Sequence, residues 1–163
     1  MEEVLTTLSG KAERAALRVL QSVPDWPCRR GCDACCRTLA RQPLLTGAEW
    51  DVLRPAIDQL AAPVRRLVLE RCRGLAAQPR PIVCPFLDPD HGECLVYDSR
   101  PIACRTYGFY VGRDGGQYCR QIEERAGRGE FAGIVWGNHE SMEAALDALG
   151  PRHPLTHWLG ESC

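Results

Sequence analysis

Ten of the 163 residues are cysteine, and eight of them fall into two groups whose spacing suits metal or redox chemistry. Cys28, Cys32, Cys35 and Cys36 lie in the string CRRGCDACC. A C-x-x-C spacing lets two thiolates converge on one metal while the turn between them aims backbone N–H groups at sulfur. A lone buried cysteine behaves as a small hydrophobe. Here Arg29, Arg30, Asp33 and Arg37 flank the thiols, so packing explains the cluster poorly. The second group is Cys84, Cys94, Cys104 and Cys119, with separations of 10, 10 and 15 residues. That is not a zinc-finger spacing. Yet three of the four sit beside turn residues: Cys84 before Pro85, Cys94 after His91-Gly92-Glu93, Cys119 after Gly115-Gly116.

Eight thiolates exceed the four that one zinc ion or one [4Fe–4S] cluster takes. The surplus leaves three arrangements open: two sites, bridging thiolates in a polynuclear centre, or one cluster with a reactive cysteine pair. Side chains of adjacent residues diverge, so Cys35 and Cys36 are expected to bridge or to serve different centres. All-sulfur ligation suits zinc or iron–sulfur and disfavours a mononuclear oxygenase site, which wants two histidines and a carboxylate. Arginines accompany the cysteines: Arg29, Arg37, Arg105 and Arg120 each follow one directly, and Arg100 is close. Guanidinium donors can hydrogen-bond sulfur and offset surplus thiolate charge. Arg37, Arg100 and Arg105 are the expected contacts to the cofactor, although nineteen arginines place some beside cysteines by chance. On this basis an iron–sulfur centre is expected, with zinc the alternative. Cys72 sits in a helical pattern and Cys163 at the end of the chain, both outside the set. His91 reads as a solvated turn histidine.

The elements that must position these thiols are mostly helical. Val4, Leu5, Leu8, Ala12, Ala15, Ala16, Val19 and Leu20 recur at helical spacing and predict a helix over 2–23. Pro24 and Pro27 stop it. Thr46 and Glu49 fit a capping box opening a second helix faced by Trp50, Leu53, Ile57 and Leu60. Pro63 suits the first turn of a third, carrying Val64, Leu67, Val68, Arg71 and Leu75. Residues 88–93 (DPDHGE) and 112–116 (GRDGG) predict tight turns, the first closing a hairpin, with a short helix in 98–107 between them. Asn138 caps a last helix over 139–149, ended by Gly150-Pro151.

The predicted fold is therefore mainly α with a cysteine-rich irregular centre and short β-hairpins, a small single domain organised by metal. Its parts are an N-terminal helix (1–27), a metal-binding region (28–119), and a C-terminal helix and tail (120–163). A forty-residue stretch of little regular structure, 78–119, is unusual in a compact domain unless something orders it.

Composition narrows the function classes. Apolar residues at 45% and charged residues at 25% are ordinary for a globular domain. A net charge of −1 gives no electrostatic reason to expect nucleic acid. No apolar stretch is long enough to span a bilayer, and the acidic start lacks the basic and apolar regions of a signal peptide. A cytoplasmic, reducing compartment is the expectation, where clustered thiols mean metal or redox chemistry more often than disulfides. No phosphate loop, Ser–His–Asp set or nucleotide-binding glycine motif is evident, and no substrate or protein partner is identified; three function classes stay open, a redox-active iron–sulfur enzyme of oxidoreductase type, a zinc-binding structural or regulatory module, and a metal carrier.

CRRGCDACC, then CPFLD at 84–88, then CLVYDSRPIACRTYG at 94–108 resemble the YkgJ-type cysteine-cluster family, a zinc- or iron-chelating bacterial domain with an eight-cysteine pattern. The likeness spans residues 28–119. It implies a metal-chelating domain with Cys28, Cys32, Cys35, Cys36, Cys84, Cys94, Cys104 and Cys119 as its cysteines. It also implies that Tyr97, Arg100 and Pro101 shape the segment presenting Cys104.

Overall fold

A computed structural model describes residues 1–160. In chain order, α1 (Glu2–Ser22) is followed by a four-residue helix, α2 (Ala34–Arg37), and by β1 (Leu44–Leu45). Next come α3 (Gly47–Asp58), α4 (Ala62–Gly74), β2 (Leu87–Asp88) and β3 (Glu93–Cys94). A 3-10 turn at Tyr97–Ser99 leads into α5 (Ile102–Thr106), β4 (Tyr110–Gly112), β5 (Gly115–Gln117) and α6 (Arg120–Gly127). The chain continues with β6 (Gly137–Asn138), α7 (His139–Asp147), β7 (His153–Pro154) and α8 (Leu155–Gly160). The fold is mainly helical, with short strand pairs and a cysteine-rich centre. No helix among the described residues is long and apolar enough to cross a membrane.

The chain divides into two compact units, each discontinuous in sequence. The first joins Met1–Arg29 to Ile102–Leu149. Its α1 buries Leu5, Leu8, Ala12, Ala15 and Val19, the stripe that the 3.6-residue period predicts, and packs against α5. Val4, expected on that face, is exposed instead. The strands form a three-stranded sheet in the order β5-β4-β6: β4 pairs antiparallel with β5 through the predicted turn, and parallel with β6. Trp26 is fully buried against Phe109, Phe131 and Trp136, with ring centroids 4.5–6.2 Å away.

The second unit joins Arg30–Pro101 to residues 150–160. Thr46 caps α3 in the predicted box: its hydroxyl accepts the Glu49 N–H at 3.3 Å, and Glu49 Oε2 accepts the Thr46 N–H at 2.9 Å. Leu53 and Ile57 from α3, and Val68 and Cys72 from α4, fill the core with Leu45, Phe86, Leu87 and Leu155. Leu67, expected on the inner face of α4, points outward. β1 pairs antiparallel with β7, which brings α8 back so that Trp158 stacks on Trp50 and donates its indole N–H to the Leu45 carbonyl at 3.2 Å. β2 and β3 form the predicted hairpin, with Leu87 opposite Cys94.

Candidate metal centre

Five of the eight predicted cysteines belong to the second unit, and backbone pairing explains how three distant segments converge there. Leu39 and Ile82 exchange both N–H···O=C bonds, at 2.9 and 2.8 Å. This bridge lays 82–84 alongside the C-terminal end of α2, and the Cys84 N–H donates to the Cys36 carbonyl at 2.7 Å. Cys84 then turns into β2, whose partner β3 ends in Cys94. The short α2 itself carries Cys35 and Cys36.

A clamp fixes α2 to the hairpin turn. Arg37 pairs with Asp33 one helical turn back, at 2.6 Å, and donates to the Pro89 carbonyl at 3.3 Å. Gly92 lies against Asp33: a Cβ there would sit 3.2 Å from the Asp33 carboxylate, and its φ of 66° is one that glycine adopts without strain. In the same turn Asp88 accepts from His91 Nδ1 at 2.9 Å, and His91 is otherwise in solvent, as expected.

The thiols form a hydrogen-bonded chain. Cys35 Sγ and Cys36 Sγ are 4.0 Å apart, and Cys36 is bonded in turn to Cys84. The adjacent pair therefore does not diverge as the sequence suggested; the tight α2 turn swings both sulfurs to one side. A hydrogen bond to Cys36 and burial hold the proton on Cys35, raising its pKa well beyond the ordinary thiol range. Cys36 is pulled down by the bond it accepts from Cys35. The bond it gives Cys84, and burial, outweigh that and push it up to about 12. Burial raises Cys94, which also feels the charge of Cys35. Among the described residues no set of three or more Cys, His, Asp or Glu side chains is closed to metal-site spacing. The donor chemistry nonetheless fits a thiophilic metal. With metal–sulfur bonds of about 2.3 Å, a tetrahedral site has sulfurs roughly 3.8 Å apart, close to the Cys35–Cys36 spacing.

The other three cysteines belong to the first unit. Cys28 Sγ donates to the Tyr107 carbonyl at 3.4 Å and presses on Gly108, where a Cβ would come within 2.7 Å of both Cys28 Cβ and Sγ. Gly108 has φ 90°, and its N–H donates to the Gln117 carbonyl at 2.6 Å. Cys104 lies on α5, four residues before this glycine, and Cys119 caps α6 just beyond Gln117. Cys72 is buried on α4 in the core of the second unit, which also includes Cys84. Cys163 lies outside the described residues.

Of the three arginines singled out, Arg37 serves the α2 clamp, and Arg105 pairs with Glu13 at 3.0 Å. Arg100 stacks on Tyr97, its guanidinium carbon 3.4 Å from the ring centroid, and donates its Nε–H to the Tyr97 carbonyl at 2.8 Å. Arg30, which the sequence marked as a flank of the thiols and not as a contact to the cofactor, stacks on the same ring at 4.6 Å. The signal that could have found it was its place between Cys28 and Cys32.

Residues 27–126 match the CxxCxxCC family, described as "Putative zinc- or iron-chelating domain". No curated protein and no solved structure matches the chain. All eight cysteines fall inside the matched segment, which covers more than half of the sequence. The chain belongs to the CxxCxxCC family and chelates zinc or iron through its cysteines.

Proposed function

We propose that the protein holds a single tetrahedral metal ion of the zinc class through Cys35, Cys36, Cys84 and Cys94, with Cys32 at its margin, as a reversible metal-binding module without a catalytic reaction of its own. The carrying observation is the 4.0 Å separation of the Cys35 and Cys36 sulfurs, which suits one shared ion. In a [4Fe–4S] cluster each iron takes one thiolate, and two thiols this close fit that arrangement less well. The ion would supply charge and cross-linking between α2, the Cys84 segment and β3.

Reversibility is supported by exposure: Cys32, Cys35, Cys36 and Cys94 are partly exposed, which gives a competing ligand access. In this reading Cys28, Cys104 and Cys119 are accessory thiols of the first unit.

An iron–sulfur centre remains the second reading. It is favoured by five thiols in one unit and by the positive charge of Arg100 beside two of them. Protein made and purified without air separates the two. Stoichiometric zinc, no visible colour and no acid-labile sulfide are expected; brown protein with iron and sulfide in equal amounts would overturn the single-ion reading. Cys36→Ser and Cys84→Ser should each lower the metal-to-protein ratio, while Cys72→Ala leaves it whole. Full retention in both serine variants would remove the ligand assignment.

A further inference from the structure

We propose that Trp26, Trp136 and Tyr118 form a relay that carries an electron hole out of the core of the first unit, with Tyr118 as the residue on which it comes to rest. The relay stands apart from the metal centre and does not depend on it. A radical oxidant of the peroxyl class takes one electron from either indole and is reduced to the hydroperoxide anion. A hole on Trp26 is filled by an electron from Trp136, and a hole on Trp136 by one from Tyr118, so both indoles are restored. The Tyr118 phenol releases its proton to water and is left as a neutral phenoxyl radical. A soluble reductant such as ascorbate then returns one electron and one proton, and the chain is unchanged.

Distance, burial and proton access all favour that direction. The Trp26 and Trp136 ring centroids are 5.5 Å apart, and those of Trp136 and Tyr118 5.4 Å. Tunnelling between rings falls off exponentially with the gap, so neighbours in contact exchange electrons fastest. The other rings against Trp26 are Phe109 and Phe131, which are too hard to oxidise to take the hole. An oxidised indole is a cation that ordinarily sheds its N–H proton. Trp26 is fully buried, and its N–H has no acceptor among the described residues. A hole there remains a buried, unpaired charge, which is costly, and it is driven outward. Trp136 and Tyr118 are partly exposed, so water can take the phenol proton and trap the hole as a neutral radical. The sheet sets these rings in place: Tyr118 follows β5 and Trp136 precedes β6, on either side of β4. The Tyr118 ring lies against Gly116, where a Cβ would overlap it. All of these residues belong to the first unit.

The test is laser flash photoionisation of the reduced full-length chain at the red edge of tryptophan absorption, where tyrosine does not absorb. Nitrate takes up the ejected electrons, and holes form on buried and exposed indoles alike. Wild type, Tyr118→Phe, Trp136→Phe and Tyr110→Phe are compared. Trp50 and Trp158 of the second unit are common to all four chains, so differences report the first unit. In wild type the indolyl radical absorbance should decay as phenoxyl absorbance rises, at one rate that does not change with protein concentration. Tyr118→Phe should lower the phenoxyl yield and lengthen the indolyl lifetime. Trp136→Phe should do the same although Tyr118 is intact, because the hole on Trp26 loses its link. Tyr110→Phe, which removes a buried phenol of the same sheet, should behave as wild type. A merely structural role for these rings would move stability and leave the phenoxyl yield unchanged. If Trp136→Phe fails to fold, Tyr118→Phe decides alone. Wild-type phenoxyl yield in Tyr118→Phe or in folded Trp136→Phe overturns the proposal, as does a loss in Tyr110→Phe equal to that in Tyr118→Phe. None of these outcomes bears on the single-ion reading, which zinc analysis tests separately.

Discussion

Cys72 offers the cleanest link between a buried thiol and a measurable stability. It is 1% exposed, inside the core that α3 and α4 build. Burial pushes its pKa from 9.0 up to about 12, with Arg73 opposing. Unfolded, the thiol ionises at its ordinary value. Because the folded pKa is the higher one, the neutral thiol stabilises the fold fully below pH 9. That contribution is lost as pH climbs toward 12. Each shifted proton gives a slope of about 1.4 kcal/mol per pH unit in this window, so about 2.5 kcal/mol is gone by pH 11. Cys72→Ala removes the group. At pH 7.5 the variant should be less stable by about 1 kcal/mol, the cost of one missing core atom. At pH 11 the order should invert, with the variant ahead by about 1.5 kcal/mol. Urea unfolding of reduced, metal-free protein at the two pH values reads this directly, since the remaining thiols are common to both chains. Parallel stability curves from pH 7.5 to 11 would refute the argument.

Three further outcomes are expected. Gly108→Ala combines a left-handed φ of 90° with a Cβ that would lie 2.7 Å from Cys28, so thermal unfolding should report a loss of at least about 2 kcal/mol. Trp26 buries an indole N–H that has no hydrogen-bond partner among the described residues. Trp26→Phe keeps a ring and drops the unpaired donor, so it should cost under about 1.5 kcal/mol, against about 3–5 for Trp26→Ala; equal losses would show that the donor is not the issue. Because Cys35 and Cys36 hold their protons at neutral pH, zinc loading at pH 7.5 in weak buffer should release protons, one for each protonated thiol that becomes a ligand; an indicator dye that records none would remove both as ligands.

Much of the fold was legible where the code is local. The capping box of Thr46 and Glu49, the Asn138 cap, whose side chain accepts the Ser141 N–H at 2.7 Å, and the turns at 88–93 and 112–116 each act over two to four residues. The stripe on α1, Leu5 to Val19, repeats over about four turns and reads plainly. By contrast α6 buries only Ile122, so it has no apolar period to detect. The parallel pairing of β4 with β6, Tyr110 opposite Gly137, and the pairing of β1 with β7, Leu44 opposite Pro154, join residues far apart in sequence. No local signal specifies either. The candidate site divides in the same way. Its donor types were readable from CRRGCDACC and CPFLD. The registers that bring Cys36 to Cys84 and Arg30 to Tyr97 depend on the Leu39–Ile82 bridge and on tertiary packing.

The vicinal cysteines show why spacing alone misled. In an extended chain, neighbouring side chains point to opposite faces, and a C-C pair then belongs to two different surroundings. α2 is a single helical turn braced end to end by the ion pair of its N-cap Asp33 with its last residue Arg37, and held near its C-terminal end by the Cys84 N–H on the Cys36 carbonyl. Within that turn the two sulfurs come to 4.0 Å. The clamp and the thiol pair share this one turn: Arg37 closes on Asp33 along α2 and reaches the Pro89 carbonyl of the hairpin turn, while Cys35 and Cys36 lie between those two residues. The clamp's influence on metal binding would be steric, through the α2 backbone.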